Sequence, residues 1–229
     1  MEVIILAGGI GSRLQSVVSD VPKCMADVAE KPFLFYLFEY LKPFCPQRVI
    51  LSLGYKHEIV EEWVSGLDLP FEIVNKVEQS PLGTGGAIKY ALSEISEETA
   101  IVINGDTFFD VDLKALQSFH LSRQGEATLA LKVLKNFDRY GSVLTDKSGI
   151  ITNFEEKKYC EAGQINGGVY VLNKNILDNF PEKFSMENDY FAEKVLENKL
   201  TGYVSDGYFI DIGIPEDYEK AQQVFATWN

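Results

Sequence analysis

Two kinds of apolar run alternate along the first half of the chain. Short runs rich in β-branched and aliphatic residues occur at Glu2–Leu6, Arg48–Leu53, Phe71–Val77 and Ala100–Ile103. Polar or glycine-rich positions bound them, and runs of that length predict buried strands. Between them lie stretches with apolar residues three and four apart. Phe33–Leu41 places Leu34, Leu37, Phe38 and Leu41 on one helical face. That stripe predicts core packing rather than a ligand site. Glu58–Val64 and Gly85–Ser93 read as further helices. Repeated strand–helix–strand units predict an α/β fold, a mostly parallel sheet with helices on both faces.

The texture changes after about residue 110. Ala127–Leu134 alternates as a strand does. The stretch SVLTDKSGIITNFEE, Ser142 to Glu156, predicts two strands joined at Asp146–Gly149, a hairpin signal. Gly168–Leu172 reads as another strand, and Tyr190–Asn198 as a helix with Asp189 as its N-cap. The last helix is expected to start near Pro215. Proline suits a first turn, and the helix dipole favours Glu216 and Asp217 there. No internal repeat and no Pro/Ser-rich linker is present. The pattern predicts one domain over 1–229 with a small antiparallel β addition in its second part.

Composition narrows the function. With 229 residues, 46% of them apolar, the chain can bury a sizeable core. No stretch approaches the roughly 20 apolar residues of a membrane span. The N-terminus lacks the basic-then-apolar order of a signal peptide. A cytoplasmic protein with no membrane partner is therefore expected. Cys24, Cys45 and Cys160 are odd in number and share no metal-ligand spacing, so each reads as a small buried residue in a reduced compartment. His57 and His120 are the only histidines, which argues against a histidine triad or a zinc site. A net charge of −13 argues against a nucleic-acid partner. Any phosphate site in such a chain must gather its cations locally or import a metal.

One segment does gather them. LAGGIGSRL, Leu6 to Leu14, follows the apolar run Val3-Ile4-Ile5. Ligands of open α/β sheets bind at the carboxyl ends of the strands. Gly8, Gly9 and Gly11 would leave backbone N–H groups there free to bracket a phosphate. A tight strand-to-helix turn with no ligand would use glycines too. A Rossmann fingerprint fails, because its third glycine would be Leu14, and a P-loop fails for want of a lysine after the glycines. What remains is G-G-x-G-S-R-L, then Lys23 in VPK. A guanidinium and an ammonium beside a glycine cradle point to a polyphosphate.

Carboxylates complete the pattern. Asp106 ends a predicted strand in NGD, and Asp211 lies inside the apolar run YFIDIGIP. An acid in such a run is costly to bury without a partner. Two hard oxygen donors suit Mg²⁺, which takes its other ligands from substrate phosphates and water. Each acid alone could instead serve a turn or a cap. Asp110 and Asp112 read as solvated strand-end residues. In EQSPLGTGGAIKYAL, Gln79 offers both a donor and an acceptor for a base edge. As a plain glycine turn, the same segment would only cap a helix.

The string LAGGIGSRL…PK is similar to the signature of the sugar-1-phosphate nucleotidyltransferases, L-x-G-G-x-G-T-R-L…P-K. Ser12 stands for the usual threonine, and Cys24 follows the lysine. The resemblance covers essentially the whole chain. It implies the Rossmann-like, GT-A-like fold of nucleotide-diphospho-sugar transferases, with a nucleotide-binding half at about 1–110 and a sugar-phosphate half at about 111–229. It implies that Arg13 and Lys23 are catalytic, on the pyrophosphate and the α-phosphate. Leu6, Ala7, Gly8, Gly9, Gly11, Ser12, Gln79, Gly83 and Thr84 would line the nucleotide site. Asp106 and Asp211 would hold Mg²⁺. Glu156 and Lys157 of FEEKK, Asn166 and Gly167 of INGGVYVL, and Glu187 of FSMENDYF would hold the sugar phosphate. Lys158 replaces a family proline after Lys157.

Within the family, SDVPKCMADVAEKPFLFYLFEYL, SPLGTGGAIKYAL and NGDTFFDVDL resemble the bacterial D-glycero-α-D-manno-heptose 1-phosphate guanylyltransferases. GTP and that heptose 1-phosphate are thus the favoured substrates, with GDP-heptose and pyrophosphate as products. The alternatives are a uridylyl- or thymidylyltransferase for a hexose or N-acetylmuramic acid 1-phosphate, and a mannose 1-phosphate guanylyltransferase. A non-catalytic sugar-nucleotide sensor is a further one. A dinucleotide-dependent oxidoreductase is disfavoured by the failed fingerprint. Family members are often dimers or tetramers, so a homo-oligomer is compatible. The chain ends soon after the last predicted helix, leaving no room for the C-terminal β-helix of some relatives.

Overall fold

The computed structural model describes residues 1–9, 14, 18, 20–123 and 125–228. The described residues form, in chain order, strands β1 (Glu2–Leu6), β2 (Asp27–Val28), β3 (Lys31–Pro32), β4 (Arg48–Leu53), β5 (Glu72–Val77), β6 (Thr99–Asn104) and β7 (Thr107–Phe109). They continue with β8 (Ala127–Phe137), β9 (Ser142–Thr145), β10 (Ile151–Phe154), β11 (Cys160–Asn173), β12 (Leu200–Ser205) and β13 (Phe209–Asp211). The helices are α1 (Phe33–Leu41), α2 (His57–Ser65), α3 (Gly83–Leu92), α4 (Leu113–Arg123), α5 (Ala192–Lys194, continuing a π-helical turn over Met186–Phe191) and α6 (Pro215–Phe225).

The predicted buried strands build the centre. β1 pairs in parallel with β4 on one side and β6 on the other, and β4 with β5. Side chains alternate across a strand, so each apolar run feeds two cores. Val3 and Ile5, Val49 and Leu51, and Ile101 and Ile103 join one cluster with α1, α2, α4 and α6. Ile4, Ile50 and Val102 join the other, with Ile88, Ala91 and Leu92 of α3. Fully burying one such side chain contributes about 1.5–3 kcal/mol, far more than its strand propensity. The predicted stripe of α1 is core: Leu34, Leu37 and Leu41 are 0% exposed. Phe33 and Tyr36 are buried as well, because α6 covers them with Phe225.

The sheet continues through its antiparallel part. Its order is β10–β9–β11–β6–β1–β4–β5, with β8 also on β11 and β12 on β8. β11 runs antiparallel to β6, β8 and β9, and β12 parallel to β8. β11 begins at Cys160, well before the predicted Gly168. Its pairing with β8 shifts register between Asn166 and Tyr170. Gly168 sits in that irregularity at φ +73°, where a Cβ would stand 2.8 Å from the Asn104 amide. Only glycine accepts both the left-handed backbone and the close approach. The predicted hairpin is present: Asp146 Oδ1 accepts from the N–H groups of Ser148 and Ile150, closing the turn between β9 and β10.

Other expectations need correction. The helix placed at Tyr190–Asn198 starts at Met186. Ser185 caps it by accepting the Asn188 N–H, while Asp189 reaches back to accept the Ser185 N–H. The serine and the acid cap reciprocally, so the acid alone marked the wrong position. Cys24 is buried, with its thiol pushed up to about 12 by desolvation. Cys45, by contrast, is exposed in a left-handed turn, and Cys160 is half-buried at a strand end. Asp112 is exposed but accepts the N–H groups of Lys114 and Ala115, capping α4.

His120 is a core residue, 2% exposed. Asn173 Oδ1 lies 2.9 Å from its Nε2, and Thr128 Oγ1 lies 2.8 Å from its Nδ1. An amide oxygen can only accept, so Nε2 carries a proton. Burial lowers its pKa, so the unfolded chain takes up a proton below about pH 6.5 that the folded chain resists. Stability present above that pH is lost as the pH falls, at up to about 1.4 kcal/mol per pH unit. Urea unfolding between pH 7.5 and 5.5 should show this decline, and His120→Gln should flatten it. An unchanged slope in the variant would show that His120 is not the titrating group.

Candidate active site

The carboxyl ends of β1, β4, β5 and β6 frame a cleft of about 740 Å³. Leu6, Ala7, Gly8 and Gly9 form one wall, Ser52, Gly54 and Tyr55 a second, and Glu78 to Ala87 a third. Lys23 and Asn104 to Asp106 close the far end. The cleft thus unites Leu6, Ala7, Gly8, Gly9, Lys23, Gln79, Gly83, Thr84 and Asp106, all expected from the sequence. The walls stand close together. A side chain at Gly8 would meet the Gly54 N–H at 3.2 Å and Glu78 Oε1 at 3.3 Å. Gly11, Ser12 and Arg13 lie outside the described residues.

Lys23 is aimed by its neighbours. Pro22 leads into a single 3-10 turn, Lys23–Met25, in which Cys24 and Met25 are buried. Those two anchors leave Lys23 facing the cleft, where its ammonium contacts Asp106 Oδ2 and lies 3.7 Å from Asp211 Oδ1. Strand pairing explains how two acids so far apart in sequence meet there. β13 runs antiparallel to β7 with Asp211 opposite Thr107, and the Ile212 N–H donates to the Asp106 carbonyl. A cation already lies between two hard carboxylates, so the donor set fits a divalent ion that completes its shell with phosphate and water. No group of three or more His, Cys, Asp or Glu residues suited to a metal occurs among the described residues.

The sugar-side candidates are partly assembled. Asn166 Nδ2 donates to the buried Tyr170 hydroxyl at 2.9 Å, and its Oδ1 accepts the Gly168 N–H at 3.0 Å. Gly167 is packed against the Phe109 ring, with no room for a side chain. Glu187 accepts a hydrogen bond from Thr84 at 2.7 Å. Glu156 and Lys157 stand apart, exposed on the loop between β10 and β11, and neither makes a hydrogen bond or ion pair among the described residues.

Two cleft residues, and one ion pair outside the cleft lining, were not expected from the sequence. Glu78 is half-buried beside Gln79, which is exposed. Burial raises the Glu78 carboxyl above the usual range, and the Leu82 N–H on Oε2 only partly offsets this. Its position just past a strand end, in NKVEQS, was the available signal. Ser52 is 1% exposed, and its Oγ is the buried side-chain polar atom left without a partner among the described residues. Arg139, beside Tyr140, pairs with the buried Asp217, and its charge also acts on Asp211.

Glycines decide how α3 meets the second half of the chain. The segment Glu182–Glu187 lies across the first turn of α3. The Phe184 carbonyl accepts from the N–H groups of Gly85 and Gly86, and the Phe184 N–H donates to Leu82. A Cβ at Gly85 would enter the Phe184 ring, and one at Gly86 would collide with the Glu182 carbonyl. The ring could turn aside, whereas the carbonyl is held by the backbone.

The chain belongs to the nucleotidyl transferase family, whose pattern it matches over residues 2–227. It is 51% identical over 225 residues to the D-glycero-alpha-D-manno-heptose 1-phosphate guanylyltransferase of Aneurinibacillus thermoaerophilus, covering 97% of each protein. It is 46% identical over 220 residues to the enzyme of that name from Campylobacter jejuni, covering 95% of this chain and 97% of that one. The crystal structure of HddC from Yersinia pseudotuberculosis has the same fold, with a TM-score of 0.89 and 40% identity over 98% of this chain and 99% of that one. HddC complexed with GMP-PN gives a TM-score of 0.87. The expected transferase fold is therefore borne out.

Gly86→Ala should destabilise the protein by about 1–3 kcal/mol, the usual cost of forcing a methyl into filled space. Thermal melting checks this. A melting temperature equal to that of the parent would mean that Glu182–Glu187 is not seated on α3 as described.

Proposed function

We propose that the protein is a guanylyltransferase that joins GTP to D-glycero-α-D-manno-heptose 1-phosphate. One observation carries the reaction type: a glycine-walled cleft that ends in a lysine held between two carboxylates. The near full-length likeness to two enzymes with that name supports the substrates. So does the nucleotide-type ligand of HddC, 40% identical to this chain.

A phosphate oxygen of the sugar phosphate attacks the α-phosphorus of the triphosphate. The bond to the β-phosphate oxygen breaks and pyrophosphate leaves with the electron pair. The attacking oxygen is already anionic near neutral pH, so no general base is needed. The obstacle is repulsion, about 4 kcal/mol for each unit-charge pair at 4 Å and an effective dielectric of 20. The chain's part is to align the two anions and neutralise their charge. In this reading Lys23 serves the α-phosphate, Arg13 the pyrophosphate and Lys157 the sugar phosphate. Asp106 and Asp211 would hold Mg²⁺, which supplies further charge neutralisation when bound. Glu156, Asn166 and Glu187 serve the sugar, with Gly167 allowing close approach.

Glu78 gives this reading a basis for choosing guanine. Guanine presents two adjacent donors, N1–H and the N2 amino group, and no other common base offers such a pair. A carboxylate accepts both, whereas it repels the carbonyls that flank the single N–H of uracil or thymine. Gln79 and the Gly83 backbone stand beside it.

The first assay measures pyrophosphate release with Mg²⁺ for five nucleoside triphosphates against heptose, mannose and glucose 1-phosphates. Activity confined to GTP and the heptose phosphate is expected. A pyrimidine triphosphate with a hexose phosphate would overturn the substrates, and nucleotide binding without turnover would favour a sensor. Arg13→Ala or Lys23→Ala should cut turnover at least about 100-fold, the cost of a lost transition-state donor. Near-normal turnover refutes the assignment. Glu78→Gln should lower kcat/KM for GTP by about 10-fold or more, as expected for a lost charged hydrogen bond. It should also narrow the preference over UTP. An unchanged GTP:UTP ratio would remove Glu78 from base reading.

A further inference from the structure

The sequence places Thr84 on the nucleotide side, but the hydroxyl of Thr84 is committed elsewhere. It donates to Glu187 Oε2 at 2.7 Å and accepts the Met186 N–H at 2.9 Å. A hydroxyl has one proton, so it cannot donate to a nucleotide while it holds Glu187. Ser185 Oγ donates to the same Oε2 at 3.1 Å and is itself fixed by the Asn188 N–H. Oε1 of Glu187 has no hydrogen bond among the described residues. Burial lifts the Tyr170 phenol, and the charge of Glu187 adds to that shift. The carboxylate therefore lies within electrostatic reach of the Tyr170–Asn166 pair at the register shift of β11.

We infer that Thr84 is a positioning residue for the sugar phosphate: its hydroxyl, with that of Ser185, pins one oxygen of Glu187 so that the other is presented to the sugar's hydroxyls. The inference rests on the proposed role of Glu187. Its physical basis is rotational. An exposed glutamate has three side-chain torsions to fix, at a cost of up to about 2 kcal/mol, and a pinned oxygen meets that cost before substrate arrives. Thr84 is suited to this because its helix turn lines the nucleotide cleft while its side chain crosses to the second half of the chain. One turn of α3 thus sets the distance between the two substrates' recognition groups.

The test compares the parent with Thr84→Val, Thr84→Ser, Glu187→Gln and the Thr84→Val/Glu187→Gln double variant in the full chain. The readouts are KM for the heptose 1-phosphate, kcat, the Kd for GTP and the melting temperature. Thr84→Val should raise the sugar KM about tenfold with the GTP Kd within about twofold, the scale of one hydrogen bond to a charged group. Thr84→Ser, which keeps the hydroxyl, should restore the sugar KM. The double variant should add nothing beyond Glu187→Gln alone, the signature of coupled residues. If Glu187→Gln raises the sugar KM and Thr84→Val does not, positioning by Thr84 is overturned while the role of Glu187 stands. If Glu187→Gln leaves the sugar KM unchanged, Glu187 is not in the sugar site and the inference fails with it. An equal rise in the GTP Kd would assign the hydroxyl to the nucleotide instead. Should the valine variant melt early, Thr84→Ala gives the same comparison without a branched side chain.

Discussion

Pairing β7 with β13 brings Asp106 and Asp211 together, and two carboxylates at such a place repel unless a cation lies between them. Lys23 is that cation, and much of the architecture exists to put it there. Cys24 and Met25 anchor its turn in the core beneath β1. Asp106 follows from β6, the parallel neighbour of β1. Asp211 comes from the far end of the chain, just before α6 packs Phe225 against α1. Three distant segments therefore share one electrostatic centre. In a chain of net charge −13, cations are scarce, and one held between acids is a committed resource. On the proposed reading the same ammonium serves a phosphate, so the free protein keeps its charge in place against carboxylates.

The second constraint is how closely the two halves approach. They are joined by one sheet, since β11 pairs directly with β6. At the end of that pairing Gly168 lets the strand bend over Asn104, next to the residues that lead into Asp106. Across the cleft, Gly85 and Gly86 let Glu182–Glu187 lie on α3 without an intervening side chain. Gly168 meets the Asn104 amide, Gly85 the Phe184 ring and Gly86 the Glu182 carbonyl, so a side chain at any of them would displace its neighbour. On the proposed reading, the spacing between nucleotide-side and sugar-side groups is set by glycines that need touch neither ligand.

The central strands and α1 were legible because their apolar periodicity is set by burial, which is local to each segment. Glu2–Leu6, Phe33–Leu41 and Arg48–Leu53 match to the residue. Asp106, Lys23 and the glycine wall were legible because a strand's carboxyl end predicts where a ligand sits. The start of β11 at Cys160 was not, since Cys160–Gln164 has no β-branched or aromatic residue and is held as strand by its partner β8. The cap at Ser185 was hidden because a reciprocal pair leaves two candidate caps in sequence. Nor could sequence alone show that the glycines after Leu82 serve a neighbouring segment, because that segment lies about a hundred residues on.

Glu78 shows the limit most clearly. By functional group Gln79 is the better base reader, with both a donor and an acceptor, but the period of the strand points to Glu78. Ser52 lies opposite Lys76, and Glu78, two residues further, continues the same face toward Gly8. If the cleft holds polyanions as proposed, a half-buried carboxylate with no cation beside it among the described residues is a defect there, unless the ligand brings donors of its own. The unsatisfied Ser52 hydroxyl on the same face argues likewise. A buried acceptor waiting for a partner costs stability, and a guanine edge is a ligand that would return that cost as affinity. On the proposed reading, the acid that looks least suited to a phosphate site is the one that distinguishes its base.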